Sequence, residues 1–157
     1  MNAALRQVFR VPVYLYRWNF VWMLGHRFLL LIHIGRHTGL CRHTVLEVME
    51  CRKEGPEAVV MSAFGRNADW LRNIEATPSP VVVIGSRRFI AAYRSLDEED
   101  AMRVVAGYEH RNRLITRVIR LVLSRLLGWN YDGSQSARRR LVKQLPVLAF
   151  RAASHSA

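Results

Sequence analysis

The stretch Gly35-Arg36-His37-Thr38-Gly39-Leu40-Cys41-Arg42-His43-Thr44 constrains this chain most. It is a short basic turn bracketed by glycines and set between two apolar, strand-like runs, Phe28 to Ile34 and Val45 to Met49. Two glycines free the backbone to reverse and to approach a ligand closely. Two β-like runs joined by such a turn read as an antiparallel hairpin. Arg36 and Arg42, with His37 and His43 beside them, supply donors that suit a bound anion such as a phosphate.

At 157 residues the chain is long enough for one domain with a real core. Half its residues are hydrophobic and 23% are charged, the balance of a folded globular protein. The net charge is +12, and Lys53 and Lys143 are its only lysines. Arginine recognises phosphate and carboxylate through a planar, bidentate fork. That charge admits nucleic acid, an anionic membrane or a polyanionic small molecule, without choosing among them. Cys41 and Cys51 form no disulfide framework. On one strand they would not bridge easily, and they fit a reducing cytoplasm. The six histidines are scattered and none pairs with cysteine at zinc-ligand spacing, so no metal site is expected.

The spacing predicts an aromatic N-terminal helix over about Val13 to Leu24, ending near Gly25. Arg17 and Asn19 interrupt its apolar run, which is too short and polar for a membrane span. Its dense aromatics and basic anchors would suit either packing on a barrel or an interfacial position. The run Arg27 to Ile34 follows, apolar enough for burial on both faces. Arg42 to Arg52 and Ala58 to Ser62 complete a meander across the turn Glu54-Gly55-Pro56-Glu57. Asn67 is the expected N-cap of a short helix with Asp69 in its first turn, closed by Pro78 and Pro80. Val81 to Ile84 and Arg88 to Tyr93 form a second hairpin around Gly85-Ser86. Asp97 to Asp100 opens an acidic helix start running to about Asn112. A helix over Leu114 to Leu127 places Arg117, Arg120 and Ser124 on one face and is broadly apolar elsewhere. A polar loop at Asn130 to Ser136, a basic helical turn at Ala137 to Gln144 and a strand at Leu145 to Arg151 finish the chain. Arg138, Arg139 and Arg140 read as a solvated face. The expectation is a single α+β domain over 1–157. Residues 1–25 form the N-terminal helix, 26–96 a small mixed barrel of about six mostly antiparallel strands with a short cofactor-side helix, 97–144 a helical segment containing a helical pair, and 145–151 the last strand.

Taken in order, three segments resemble the deazaflavin (coenzyme F420)-dependent nitroreductase and quinone reductase family. They are the Gly35 to Thr44 turn, then Met61-Ser62-Ala63 with Ala68-Asp69-Trp70-Leu71-Arg72-Asn73, and the terminal Leu145-Pro146-Val147-Leu148. The resemblance spans roughly residues 12 to 151 and implies an FMN-binding-like split β-barrel. It implies that Arg36, His37, Thr38 and Gly39 sit at the coenzyme phosphate. Arg42, His43, Thr44 and Val45 would then line the cofactor from the next strand. Val60, Met61, Ser62 and Ala63 would meet the deazaflavin at a strand end. Asp69, Trp70, Leu71, Arg72 and Asn73 would lie on the helix beside it. Tyr108 corresponds to tyrosines placed over the substrate, and would donate a proton or orient the acceptor; His110 competes for that role.

The chain departs from the family pattern in three places, one of them a Leu114 to Leu127 helix longer than in the compact members. His37 stands where the family carries a lysine. Ala63-Phe64-Gly65-Arg66 replaces the usual lysine and glycine pair, with Arg66 as the substitute cation. The implied activity is hydride transfer from reduced F420 to an electron-poor acceptor of the quinone or nitroaromatic class. The coenzyme supplies the chemistry, and the protein supplies binding and orientation. An arginine-rich groove would complement the phosphate and oligoglutamate tail of F420. FMN or haem is the alternative prosthetic group in a related barrel. A nucleic-acid-binding module is disfavoured, because no helix-turn-helix, RRM or zinc motif occurs. The remaining expectations are a cytoplasmic location, peripheral contact with the inner face of the membrane through the N-terminal helix, and pairing into a homodimer.

Overall fold

The computed structural model describes residues 25–52 and 57–154. The expected N-terminal helix and the turn at residues 54–56 lie outside them. Six strands form a closed barrel in the order β1 (Phe28–Ile34), β2 (Cys41–Arg52), β3 (Glu57–Met61), β6 (Val147–Ala152), β5 (Arg87–Ser95), β4 (Val81–Ile84). Every neighbouring pair is antiparallel. A 3-10 turn at Gly65–Asn67 leads into α1 (Asp69–Ala76). Helices α2 (Glu98–Arg111), α3 (Thr116–Leu127) and α4 (Gln135–Gln144) lie between β5 and β6 in the chain.

The barrel explains why β1 alternates rather than being buried on both faces. Leu29, Leu31 and His33 point inward and are buried, while Phe28, Leu30 and Ile32 are half-buried. A closed barrel has one interior, so successive side chains must leave it in turn. Leu29, Leu31, Leu46, Val60, Val82 and Phe150 fill that interior, and α1 stoppers it with Trp70, Leu71 and Ile74. The Trp70 and Phe150 rings pack tilted at 6.5 Å. Outside the barrel, Val59, Val147 and Ala149 pack against Ala101 and Val104 of α2. Each fully buried aliphatic side chain contributes roughly 1.5–3 kcal/mol.

Several elements differ from expectation for local reasons. Asn67 ends the 3-10 turn, and Ala68 stands at the start of α1 with no side-chain cap. The strand β5 runs on to Ser95 because it leaves β4 and pairs with β6. The final strand starts at Val147, since Pro146 cannot donate; its carbonyl accepts from the Ser62 N–H at 2.8 Å. Residues 130–136 are not simply a polar loop, because Tyr131 is 1% exposed and packs with Leu141 and Leu145. The basic turn is a full helix, α4, capped by Ser134, which accepts from the Ala137 N–H. Three helices therefore stand where a pair was expected. A bulge at Met49, between Val48 and Glu50, turns β2 outward beneath α2. Arg52 ties this edge to α2, reaching Glu50 at 2.8 Å and Asp100 at 2.9 Å, while Arg94 holds Glu57 at 2.8 Å.

Candidate functional site

The Gly35–Leu40 turn is closed by its own backbone. Gly35 donates to the Leu40 carbonyl and Gly39 to the Gly35 carbonyl, both at 2.8 Å. Gly39 has φ +65, and a Cβ on Gly35 would stand 2.8 Å from Thr38 Oγ1. Both glycines are therefore required by geometry. Arg36 faces inward toward α1. Its guanidinium donates to Asn73 Oδ1 and to Asp69 Oδ1, each at 3.0 Å, and its backbone N–H donates to Asn73 Oδ1 at 3.1 Å. Asn73 in turn meets His33 Nδ1 at 3.1 Å, and His33 Nε2 meets Thr44 Oγ1 at 3.1 Å. One polar chain thus joins β1, the turn, α1 and the start of β2. Burial, with His43 and Arg42 nearby, pushes His33 down from 6.5 to about 4, so it is neutral at pH 7.

Beside this network lies a cleft of about 620 Å³. Its floor is β2 from His43 to Glu47 with Met49, and one wall is Met61, Ala63, Phe64 and Trp70. The opposite wall comes from Val105 and Tyr108 of α2 and from the apolar face of α3. The α3 helix is turned the other way from a surface helix whose polar stripe faces water. Arg120 reaches buried Glu109 at 3.4 Å, and Ser124 Oγ accepts from the Tyr131 N–H at 2.8 Å. Its apolar side is left to line the cleft and meet solvent, and none of its residues is buried.

Tyr108 lines the cleft and donates its hydroxyl proton to Glu47 Oε1 at 2.7 Å. Burial, reinforced by that carboxylate, pushes its phenol well above the ordinary tyrosine range. Its only proton is already committed, so the oxygen presents lone pairs and can accept a hydrogen bond. Glu47, Phe28, Met49 and the α3 residues were missed by sequence reasoning. Glu47 lies 61 residues from Tyr108, and no local pattern joins them.

The F420H(2)-dependent quinone reductase family matches residues 10–120. The chain belongs to this family. Among solved structures, the reductase is similar to an F420-H2 dependent reductase, FDR-A, at 16% identity and TM-score 0.50, covering 82% of this chain and 96% of that one. It is also similar to a protein of unknown function from Agrobacterium tumefaciens strain C58, at 12% identity and TM-score 0.53, covering 92% and 56%. A third is a pyridoxamine 5'-phosphate oxidase-related, FMN binding protein from Nostoc punctiforme, at 13% identity and TM-score 0.49, covering 91% and 80%. No curated protein matches the chain. The first two neighbours share the fold of this chain, and the family makes the protein an F420H2-dependent oxidoreductase.

The residues of the reductase fit that coenzyme. An apolar cleft next to a cationic turn matches a flat ring system with an anionic tail. His43, Thr44, Val45, Met61, Ala63, Trp70 and Tyr108 all line the cleft. His37, Thr38, Gly39 and Arg42 are exposed around the turn, as are Arg66 in the 3-10 turn and Arg72 on α1. Val60, Leu71 and Ser62 are buried behind the surface; the Ser62 hydroxyl donates to the Gly65 carbonyl at 2.7 Å. Asp69 and Asn73 hold Arg36. Arg138 departs from the expected solvated face, since it donates to buried Glu109 at 2.8 Å. Arg139 pairs with Glu98 at 2.8 Å, and Arg140 lies 4.4 Å over the Trp129 ring. Among the described residues, no helix is long and apolar enough to cross a membrane.

Proposed function

We propose that this reductase delivers a hydride from reduced F420 to a quinone taken up in the cleft between β2 and α3. The apolar lining carries the reading. Phe28, Met49, Val118, Ile119, Val122 and Leu126 offer hydrocarbon, while the polar side chains are confined to His43, Thr44, Glu47, Tyr108 and Glu109. A planar acceptor with a hydrocarbon substituent buries its whole length there. A nitroaromatic leaves the α3 wall unused, and it stands as the second acceptor class.

The chain's own residues would bind and orient. Arg42, with His37 and Thr38, would hold the anionic tail at the exposed side of the turn. Arg36 would act on that tail indirectly, by fixing the turn to α1. Trp70, Met61 and Ala63 would form the wall against the ring system. When bound, reduced F420 supplies the hydride, and its loss of a further proton balances conversion of the quinone to hydroquinone. Tyr108, its hydroxyl proton held by Glu47, would orient the acceptor by contact with its ring rather than protonate it. His43 in the cleft wall offers an N–H to the acceptor's oxygen. Titrating coenzyme fluorescence with protein, then comparing menadione with nitrobenzene derivatives as acceptors, tests the proposal. Preferential turnover of the quinone is expected; turnover of nitro compounds alone would overturn the acceptor assignment.

A further inference from the structure

The outer stripe of α3, of which only Val118 also lines the cleft, and Leu114 in the turn before the helix remain unexplained by the cleft. Leu114 is 100% exposed, Val118 60% and Leu121 57%. Arg117, Val118, Leu121 and Arg125 recur at i, i+1, i+4 and i+8 of α3, so they share one face, and Leu114 stands exposed in the turn before it. From His110 to Tyr131 the sequence holds five arginines and no carboxylate. Among the described residues, Arg113, Arg117 and Arg125 form no ion pair, whereas Arg120 turns inward to Glu109. A row of exposed leucine and valine flanked by unpaired arginines is costly in water and needs a partner both apolar and anionic.

We infer that α3 docks this reductase on an anionic lipid surface, with Leu114, Val118 and Leu121 entering the headgroup boundary and Arg117 and Arg125 meeting lipid phosphates. Charge decides between this and a second copy of the chain. A two-fold interface brings identical patches together, so it would set these arginines against one another with no carboxylate to answer them. A bilayer with anionic headgroups answers them directly. The same helix walls the cleft through Val122 and Leu126, so docking would open the cleft toward the lipid phase. The inference deepens the quinone reading and rests on it for its purpose, but its test needs neither coenzyme nor acceptor.

The test is co-sedimentation of the full chain with vesicles of phosphatidylcholine, or of equal parts phosphatidylcholine and phosphatidylglycerol. The wild type is expected to pellet with the mixed vesicles and to stay in solution with phosphatidylcholine alone. Arg117→Gln with Arg125→Gln should weaken partitioning on the order of thirtyfold, since each arginine near an anionic surface is worth about fivefold. Leu114→Ser with Leu121→Ser should abolish pelleting, while both variants keep wild-type circular dichroism and F420 affinity. Equal pelleting of wild type and variants overturns the inference, as does no pelleting of the wild type. If Leu114→Ser with Leu121→Ser instead converts a dimer to a monomer with no change in vesicle binding, the face is a subunit contact and the inference falls. In each of those cases an unchanged F420 titration leaves the reductase reading standing.

Discussion

Replacing Asn73 with alanine tests how the turn is held. Asn73 is 5% exposed and makes three hydrogen bonds, two accepted from the Arg36 backbone and guanidinium and one shared with His33. A neutral bond contributes about 1 kcal/mol net and one to a charged group about 1.5–3 kcal/mol. Arg36 keeps its pairing to Asp69 and is near enough to water to recover part of the loss, so we expect about 3 kcal/mol in all. For a domain of this size that lowers Tm by roughly 6–12 °C. A calorimetric or circular dichroism melt reads it directly. F420 affinity should fall about tenfold in the same variant, because the turn loses its only backbone bond to α1 and must be ordered by the ligand. Asn73→Asp separates the two effects. It keeps an acceptor for Arg36 but puts a carboxylate beside His33, which favours the imidazolium and raises the His33 pKa from about 4. A melting shift under 2 °C for Asn73→Ala would refute the argument that this chain of bonds holds the site.

Arg42→Ala should weaken F420 binding at least tenfold while moving Tm little, whereas Arg36→Ala should lower Tm by several degrees as well; fluorescence titration paired with melts distinguishes them. Tyr108→Phe releases the ring from Glu47 and should lower kcat/KM for a quinone by about tenfold or less with F420 affinity unchanged, as steady-state kinetics would show. Stability should also respond to acid in two stages. The folded His33 takes up its proton only near pH 4, while the unfolded chain does so near 6.5, so stability present above 6.5 is lost as pH falls toward 4, by at most about 3 kcal/mol. Glu57 is held below its ordinary value chiefly by Arg94, and its stabilisation is lost as pH falls further, through the folded pKa. Urea melts across this range should show both stages, and His33→Gln should flatten the upper one.

The strand order was legible because its signals are local. Glycines at both ends of a basic turn, short apolar runs and a Leu-Pro-Val start to the last strand each act within a few positions. The Arg36 side chain shows where local reading stops. A turn arginine beside histidines looks free for an anion, yet Asp69, 33 residues later, claims it. The orientation of α3 was illegible for the same reason. Periodicity separates a helix's faces but cannot say which is covered, and here buried Glu109 draws Arg120 inward and leaves the leucines outside. The cleft itself arises only when α2 and α3 are laid against β2. Tyr108 was found from its counterpart in the family, whereas Glu47, its partner, carried no pattern of its own.

The most direct test of the account is anaerobic mixing of the protein with reduced F420 and menadione, followed by the fluorescence of the oxidised deazaflavin. The account predicts protein-dependent oxidation that saturates in both substrates and is lost with Arg42→Ala at low coenzyme. No acceleration over the protein-free mixture, in a sample that is folded by circular dichroism, would contradict it.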